Sequence, residues 1–158
     1  MTGFLLAVHI VAAILAIGPV AVSTSMFPPA FRAALDDPDD SRKTGTVLVL
    51  VRVTRVHSIV GVVVPVFGVA TATSLGVLTD TWLLTSMALT AAAAALLVGL
   101  ILPAQRRLLD NLDGSSIPEV SAKRSSRRLA MHVGLFNLLW VIVVALMIYR
   151  PGSTTGVS

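Results

Sequence analysis

The sequence predicts an all-α fold, a single transmembrane domain built as a four-helix bundle, and three observations carry that prediction. Of 158 residues, 55% are hydrophobic and only 13% charged, whereas soluble domains carry about a quarter charged residues. The charges avoid four long apolar stretches, which marks hydrocarbon rather than water as the surrounding solvent. The basic residues gather between those stretches, as they do in the loops of polytopic membrane proteins.

The stretches are residues 4–27, 53–78, 82–102 and 129–149. At ~1.5 Å per residue they reach ~31 to ~39 Å, enough to cross a hydrocarbon core of about 30 Å with some tilt. They must be helical, because lipid offers no hydrogen bonds to an open backbone. The first lacks the positive flank of a signal peptide and is read as a permanent span. Phe27-Pro28-Pro29 should end it, and a helix should restart near Ser41 after the acidic run of Asp36, Asp37, Asp39 and Asp40. The second and third spans form a hairpin around Thr79-Asp80-Thr81. Gly114 should close the helix that follows the third span. Ser116-Ile117-Pro118-Glu119 has the form of a capping box, so the fourth helix should begin before its span and run on through Lys123 and Arg128. Residues 28–52 and 103–128 are then partly helical loops, and 151–158 a flexible tail. Trp82 and Tyr149 fall at span ends, where interfacial aromatics sit.

Charge sets the orientation. Arg32, Arg42, Lys43, Arg52 and Arg55 lie in or at the edge of the first loop, and Arg106, Arg107, Lys123, Arg124, Arg127 and Arg128 in the second. Eleven of the twelve Lys and Arg residues are thus on one side, with Arg150 alone on the other. The positive-inside rule places both loops in the cytoplasm and both termini outside a cell membrane. The same placement argues against nucleic acid as a partner. The basic residues flank apolar spans, where anionic lipid headgroups are their natural counter-charge.

Helices associate in lipid through small residues that let backbones approach. Such seams run along the second span (Gly61, Pro65, Gly68, Ala72, Gly76), the third (Ala88, Ala91, Ala95, Gly99) and the fourth (Ala130, Gly134, Asn137, Val141, Ala145). All three are expected to face inward, with the Asn137 amide bonding across to another helix. Gly18-Pro19 and Pro65 should kink their helices, and Ser23, Thr24 and Ser25 stand near enough to serve loosened backbone groups.

The candidates for chemistry are few. There is no cysteine, which removes disulfides, thiolate metal sites and cysteine nucleophiles. No carboxylate lies within a span, so the usual relay of a proton-coupled transporter is missing. His9 lies near the outer face, while His57 and His132 lie near the inner one; helix rise separates His9 from the others by about 20 Å or more. All three cannot hold one metal. A haem between His57 and His132 would need both to face inward, yet an inward seam on the fourth helix turns His132 toward lipid or another subunit. His9 with Met87 or Met147 is a further axial-ligand pair. Asp36, Asp37, Asp39 and Asp40 lack the spacing and turn glycine of a calcium loop. No catalytic, cofactor-binding or metal-ligating residue is therefore assigned, and no cofactor is expected.

The chain resembles a family of small four-helix integral membrane proteins common in actinobacteria and catalogued as a domain of unknown function. The likeness rests on His9 with Ile17-Gly18-Pro19, on Pro65-Val66-Phe67-Gly68, on Leu102-Pro103-Ala104-Gln105-Arg106, and on Leu139-Trp140-Val141-Ile142 through Met147-Ile148-Tyr149-Arg150-Pro151-Gly152. More distantly it is similar to four-helix membrane families that handle haem or copper. The resemblance implies an uncharacterised membrane protein, in a setting where small polytopic chains accompany respiratory assemblies. The expectation is a non-catalytic accessory subunit or assembly factor, not an enzyme, partnered by lipid and by other membrane subunits. A b-type haem redox protein is the alternative, and a small-solute transporter working at the Gly18-Pro19 and Pro65 kinks a weaker one.

Overall fold

The computed structural model describes residues 2–112 and 118–152. Its helices are α1 (Thr2–Asp36), α2 (Ser41–Val60), α3 (Val63–Leu75), α4 (Thr81–Leu96), a π-helical turn (Leu97–Ile101), α5 (Leu102–Leu112) and α6 (Glu119–Tyr149). They stack end to end into four rods, Gly3–Asp36, Ser41–Leu75, Thr81–Leu112 and Glu119–Tyr149, each long and apolar enough to cross a membrane. Gly114 and Ser116, expected as a helix stop and a capping residue, lie outside the described residues.

The rods outrun the expected spans. At 31 to 35 residues they measure roughly 47–53 Å, against a hydrocarbon core of about 30 Å. The excess is at the basic end, where residues 103–112 are helical, as expected of a helix running toward Gly114, and where residues 28–36 are helix despite the stop expected at Pro28-Pro29.

Pro28-Pro29 does not end α1. An interior proline costs about 3 kcal/mol or more, but Phe27, Phe31 and Ala34 on either side are wholly buried, the two rings stacked at 6.1 Å. At about 1.5–3 kcal/mol for each buried Phe, this packing is of the same order as the cost of the two prolines and offsets much of it. Asp40 then starts α2 as expected, its Oδ1 accepting from the Arg42 amide at 2.9 Å; side-chain caps of this kind contribute ~1 kcal/mol.

The other prolines act differently from one another. α1 runs unbroken through Gly18-Pro19. Pro65 lies just past an interruption at Gly61-Val62, where the Gly61 amide bonds to His57 O at 2.8 Å and Val62 to Ile59 O at 3.2 Å. Pro103 follows the π turn, in which the Leu102 amide reaches back five residues to Leu97 O. A widened turn takes the proline ring without breaking the rod.

α1 is the hub. It packs on α2, α3 and α6, while α4 packs on α6, and α5 closes the ring against α2 and α6. The main core, from Val20, Phe27 and Phe31 through Val47, Leu97, Ile101 and Leu108 to Leu129 and Phe136, fills the basic half. A smaller cluster of Ala72, Trp82 and Leu83 sits at the end that carries the termini. The main core therefore straddles the expected membrane boundary: Phe31, Val47 and Leu108 lie beyond the expected spans, and Val20, Phe27, Leu97, Ile101, Leu129 and Phe136 lie within them.

Candidate functional site

Three places concentrate polar or sterically demanding groups. The first joins α1 to α3. His9 Nδ1 lies 2.9 Å from the backbone oxygen of Val64. A carbonyl only accepts, so Nδ1 carries the hydrogen and, in the neutral ring, Nε2 keeps its lone pair. The ring rests on Gly68, where a Cβ would fall 3.0 Å from His9 Cε1. Gly68 is therefore required for close approach; of the expected seam of the second span, Gly68 and Ala72 face a neighbour, while Pro65 and Gly76 are exposed. Ala72, one turn on, is buried with Trp82 and Leu83, and Met147 packs against that cluster.

The second place is a polar layer inside the basic half. Thr54 Oγ1 and Ser23 Oγ lie 2.8 Å apart, and either can donate. Each hydroxyl has one hydrogen and a backbone carbonyl of its own within reach, Leu50 O at 2.9 Å for Thr54 and Val20 O for Ser23. Gln105 Nε2 lies 3.5 Å from the same Thr54 oxygen, at the outer limit of a hydrogen bond. Gln105 is fully buried, and its Oε1 has no partner. On the other side of α1, buried Ser126 donates to Pro28 O at 3.3 Å. Ser23 and Thr24 do bond backbone near Pro19, but at Val20 O, 3.3 and 2.7 Å away.

The third place is the outside of the bundle, and it overturns the expected packing of two helices. On α4 the buried stripe is Trp82, Leu83, Ser86 and Ala93; Ala88, Ala91, Ala95 and Gly99 are exposed on the opposite side. On α6 the buried residues are Ala122, Ser126, Leu129, Val133, Phe136 and Val143, while Ala130, Gly134 and Val141 are exposed and Ala145 is half-buried. A Cβ built at Gly99 or Gly134 meets nothing within 4 Å. The α4 error has a simple cause: its inner face (Ser86, Thr90, Ala93) is also small, so residue size could not choose between faces. Asn137 lies at the border of the α6 face, and its Nδ2 donates to Ser25 Oγ of α1 at 3.0 Å, the cross-helix bond expected of it. Asn137 Oδ1 and, one turn on, Trp140 Nε1 are buried without partners.

The reversal on α6 moves His132. It shares a side with Phe136 and Val143, both buried, and is itself half-buried at the edge of the packed face rather than turned out to lipid. His57 donates from Nδ1 to Val53 O of its own helix at 3.0 Å, and α2 packs on α1 and α5 rather than on α6. Met87 is exposed. Among the described residues no three His, Asp or Glu side chains converge into a group that could hold a metal ion. In the acidic run, Asp37 pairs with Lys43 at 2.9 Å, Asp36 with Lys123 at 3.0 Å, and Asp40 caps α2.

Ion pairs account for both resolved shifts in proton affinity. The hydrogen bond to Asp37 holds Lys43 above its usual pKa, and those to Glu119 and then Asp36 do the same for Lys123. At the opposite end Trp82 is buried, not spread in an interface. Its Nε1 donates to Asp80 Oδ2 at 3.0 Å, and the Arg150 guanidinium stacks 5.5 Å above its ring. That clasp ties the α3–α4 turn to the end of α6.

The polar layer was not legible beforehand, since lone Ser, Thr and Gln residues at helix positions carry no motif. The one available signal was Gln105, an amide on a helix face otherwise marked by Ile101 and Leu108. The family described as "Predicted integral membrane protein (DUF2269)" matches residues 4–151. No curated protein and no solved structure matches the chain.

Proposed function

We propose, from the premise that this chain belongs to the DUF2269 family of predicted integral membrane proteins, that it serves as a non-catalytic accessory subunit or assembly factor of a larger membrane complex. The observation that carries the reading is the pair of small-residue faces turned away from the bundle: Ala88, Ala91, Ala95 and Gly99 on α4, and Ala130, Gly134 and Val141 on α6. Faces of this kind let a second helix come close in lipid, where contact depends on backbone approach rather than on apolar burial. A respiratory complex is the first place to look, on the resemblance alone. The orientation proposed with it keeps the charge argument: basic ends in the cytoplasm, termini outside.

The test is purification from native membranes in mild detergent, with mass spectrometry of whatever co-migrates. Wild type should run with a larger assembly. Gly99→Leu with Gly134→Leu should leave the isolated chain at least as stable as wild type, since a Cβ meets nothing at either position and glycine is a poor helix former, but should abolish co-migration. A wild-type protein that runs alone, or a double variant that still co-migrates, removes the proposal.

One observation favours the redox alternative: His9 keeps the Nε2 lone pair free for a metal while Nδ1 is anchored on Val64. A Soret band at one haem per chain, lost in His9→Leu, would put that reading first.

A further inference from the structure

We propose that the rim of the α1–α6 interface binds the phosphate of an anionic phospholipid, held by Arg32, Arg124 and Arg127. Lys123 Nζ reaches Asp36 Oδ1 on α1 at 3.0 Å and Glu119 Oε1 at 2.7 Å. The rods run antiparallel, so this contact sets their register. One turn from Asp36 toward the apolar segment stands Arg32, and one turn from Lys123 in the same direction stands Arg127. Both line a single groove together with Arg124, Lys123 and Val120. Beneath it the helices are held close by buried Ala122 and by the Ser126 bond to Pro28 O.

The charges in the groove do not cancel. Lys123 is matched by two carboxylates, Asp36 and Glu119. Among the described residues none of the three arginines has an ion-pair partner. Arginines from two helices are thus brought to one groove with no acidic side chain between them. That arrangement is repulsive in isolation and attractive once an anion bridges it. Guanidinium forks suit the paired oxygens of a phosphate.

Depth names the source of that phosphate. Arg127 and Arg128 immediately precede Leu129, where the uncharged run to Tyr149 begins. The groove is therefore at headgroup level, where lipid phosphates are concentrated and a basic site between helices selects anionic lipid.

The experiment uses the full chain, delipidated in a maltoside detergent and titrated separately with dioleoylphosphatidylglycerol, dioleoylphosphatidylcholine and inorganic phosphate. Native mass spectrometry counts the bound molecules. One phosphatidylglycerol per chain should bind ahead of phosphatidylcholine. Arg32→Gln with Arg127→Gln should weaken it about 25-fold, at roughly fivefold for each charge, and Arg52→Gln with Arg55→Gln should leave it unchanged. Arg127→Glu gives Arg32 an acidic partner, so it should keep the wild-type unfolding midpoint and lose the lipid. Equal binding of phosphatidylglycerol by wild type and the Arg32/Arg127 pair variant, or no preference over phosphatidylcholine, overturns the site. Saturation by inorganic phosphate with no gain from a lipid tail would assign the groove to a free anion and overturn the lipid reading.

Discussion

Gly68→Ala is the sharpest single test of how α1 meets α3. The new methyl would sit 3.0 Å from His9 Cε1 and 3.3 Å from Nδ1, and the ring cannot swing aside freely because Nδ1 is bonded to Val64 O at 2.9 Å. If the ring stays, overpacking costs typically ~1–3 kcal/mol. Should it move, the hydrogen bond is lost, at ~0.5–1.5 kcal/mol. Alanine returns ~0.5–1 kcal/mol of helix preference over glycine. The net expectation is a destabilisation of about 0–2 kcal/mol, against a gain for the Gly18→Ala control. Gly18→Ala is the control: nothing lies within 4 Å of its Cβ, so only the helix preference remains and the variant should gain ~0.5–1 kcal/mol. Reversible unfolding in mixed micelles, followed by helical circular dichroism, measures both. In a His9→Ala background the cost of Gly68→Ala should vanish. Equal midpoints for the two glycine variants, or an unchanged cost without the imidazole, would refute the contact.

The polar layer predicts a contrast between its members. Gln105→Met conserves volume and removes an unpartnered oxygen, so it should stay within about 1 kcal/mol of wild type or gain. Thr54→Val removes the hydroxyl that Ser23 and Gln105 both contact and should cost ~1–3 kcal/mol; the reverse ranking in the same unfolding assay would show the layer is misread. The Lys43 and Lys123 ion pairs predict a pH dependence. Both pKa values are raised above 10.5 in the fold, so their contribution is fully present below that pH and fades as pH rises through the folded values. Asp36→Asn should narrow its gap to wild type between pH 9 and pH 11.5, and a constant gap would deny the linkage. For orientation, Ser41→Cys should be shielded from impermeant thiol reagents in intact cells while Thr79→Cys labels; the opposite pattern would invert the topology.

Patterns that water and lipid impose on composition were readable at once. The number of rods, their helical nature and the hairpin at Thr79-Asp80-Thr81 follow from apolar run length and turn residues; α6 does start early, at Glu119, but its N-cap Pro118 makes no side-chain cap bond. Asp40 could be placed at the head of α2 for the same reason, since a cap involves only its immediate neighbours. Asn137 needed a partner because an amide within a span has no water, although only the fold identified Ser25.

What the sequence alone determined was how much of the chain is hydrocarbon-facing and which end carries charge, because both depend on residues one at a time. Which side of a helix faces its neighbours was decided by tertiary structure. In lipid an alanine face and a leucine face are nearly equally at home, so the small seams of α4 and α6 gave no sign that they point outward, nor that His132 would lie at the edge of the packed side. Pro28-Pro29 reads as a break until Phe27 and Phe31 are seen buried in a core supplied by three other rods. The close fit of His9 on Gly68 and the meeting of Arg32 with Arg127 are of the same kind. They arise from contacts between residues 59 and 95 positions apart, whose geometry exists only after the helices have packed.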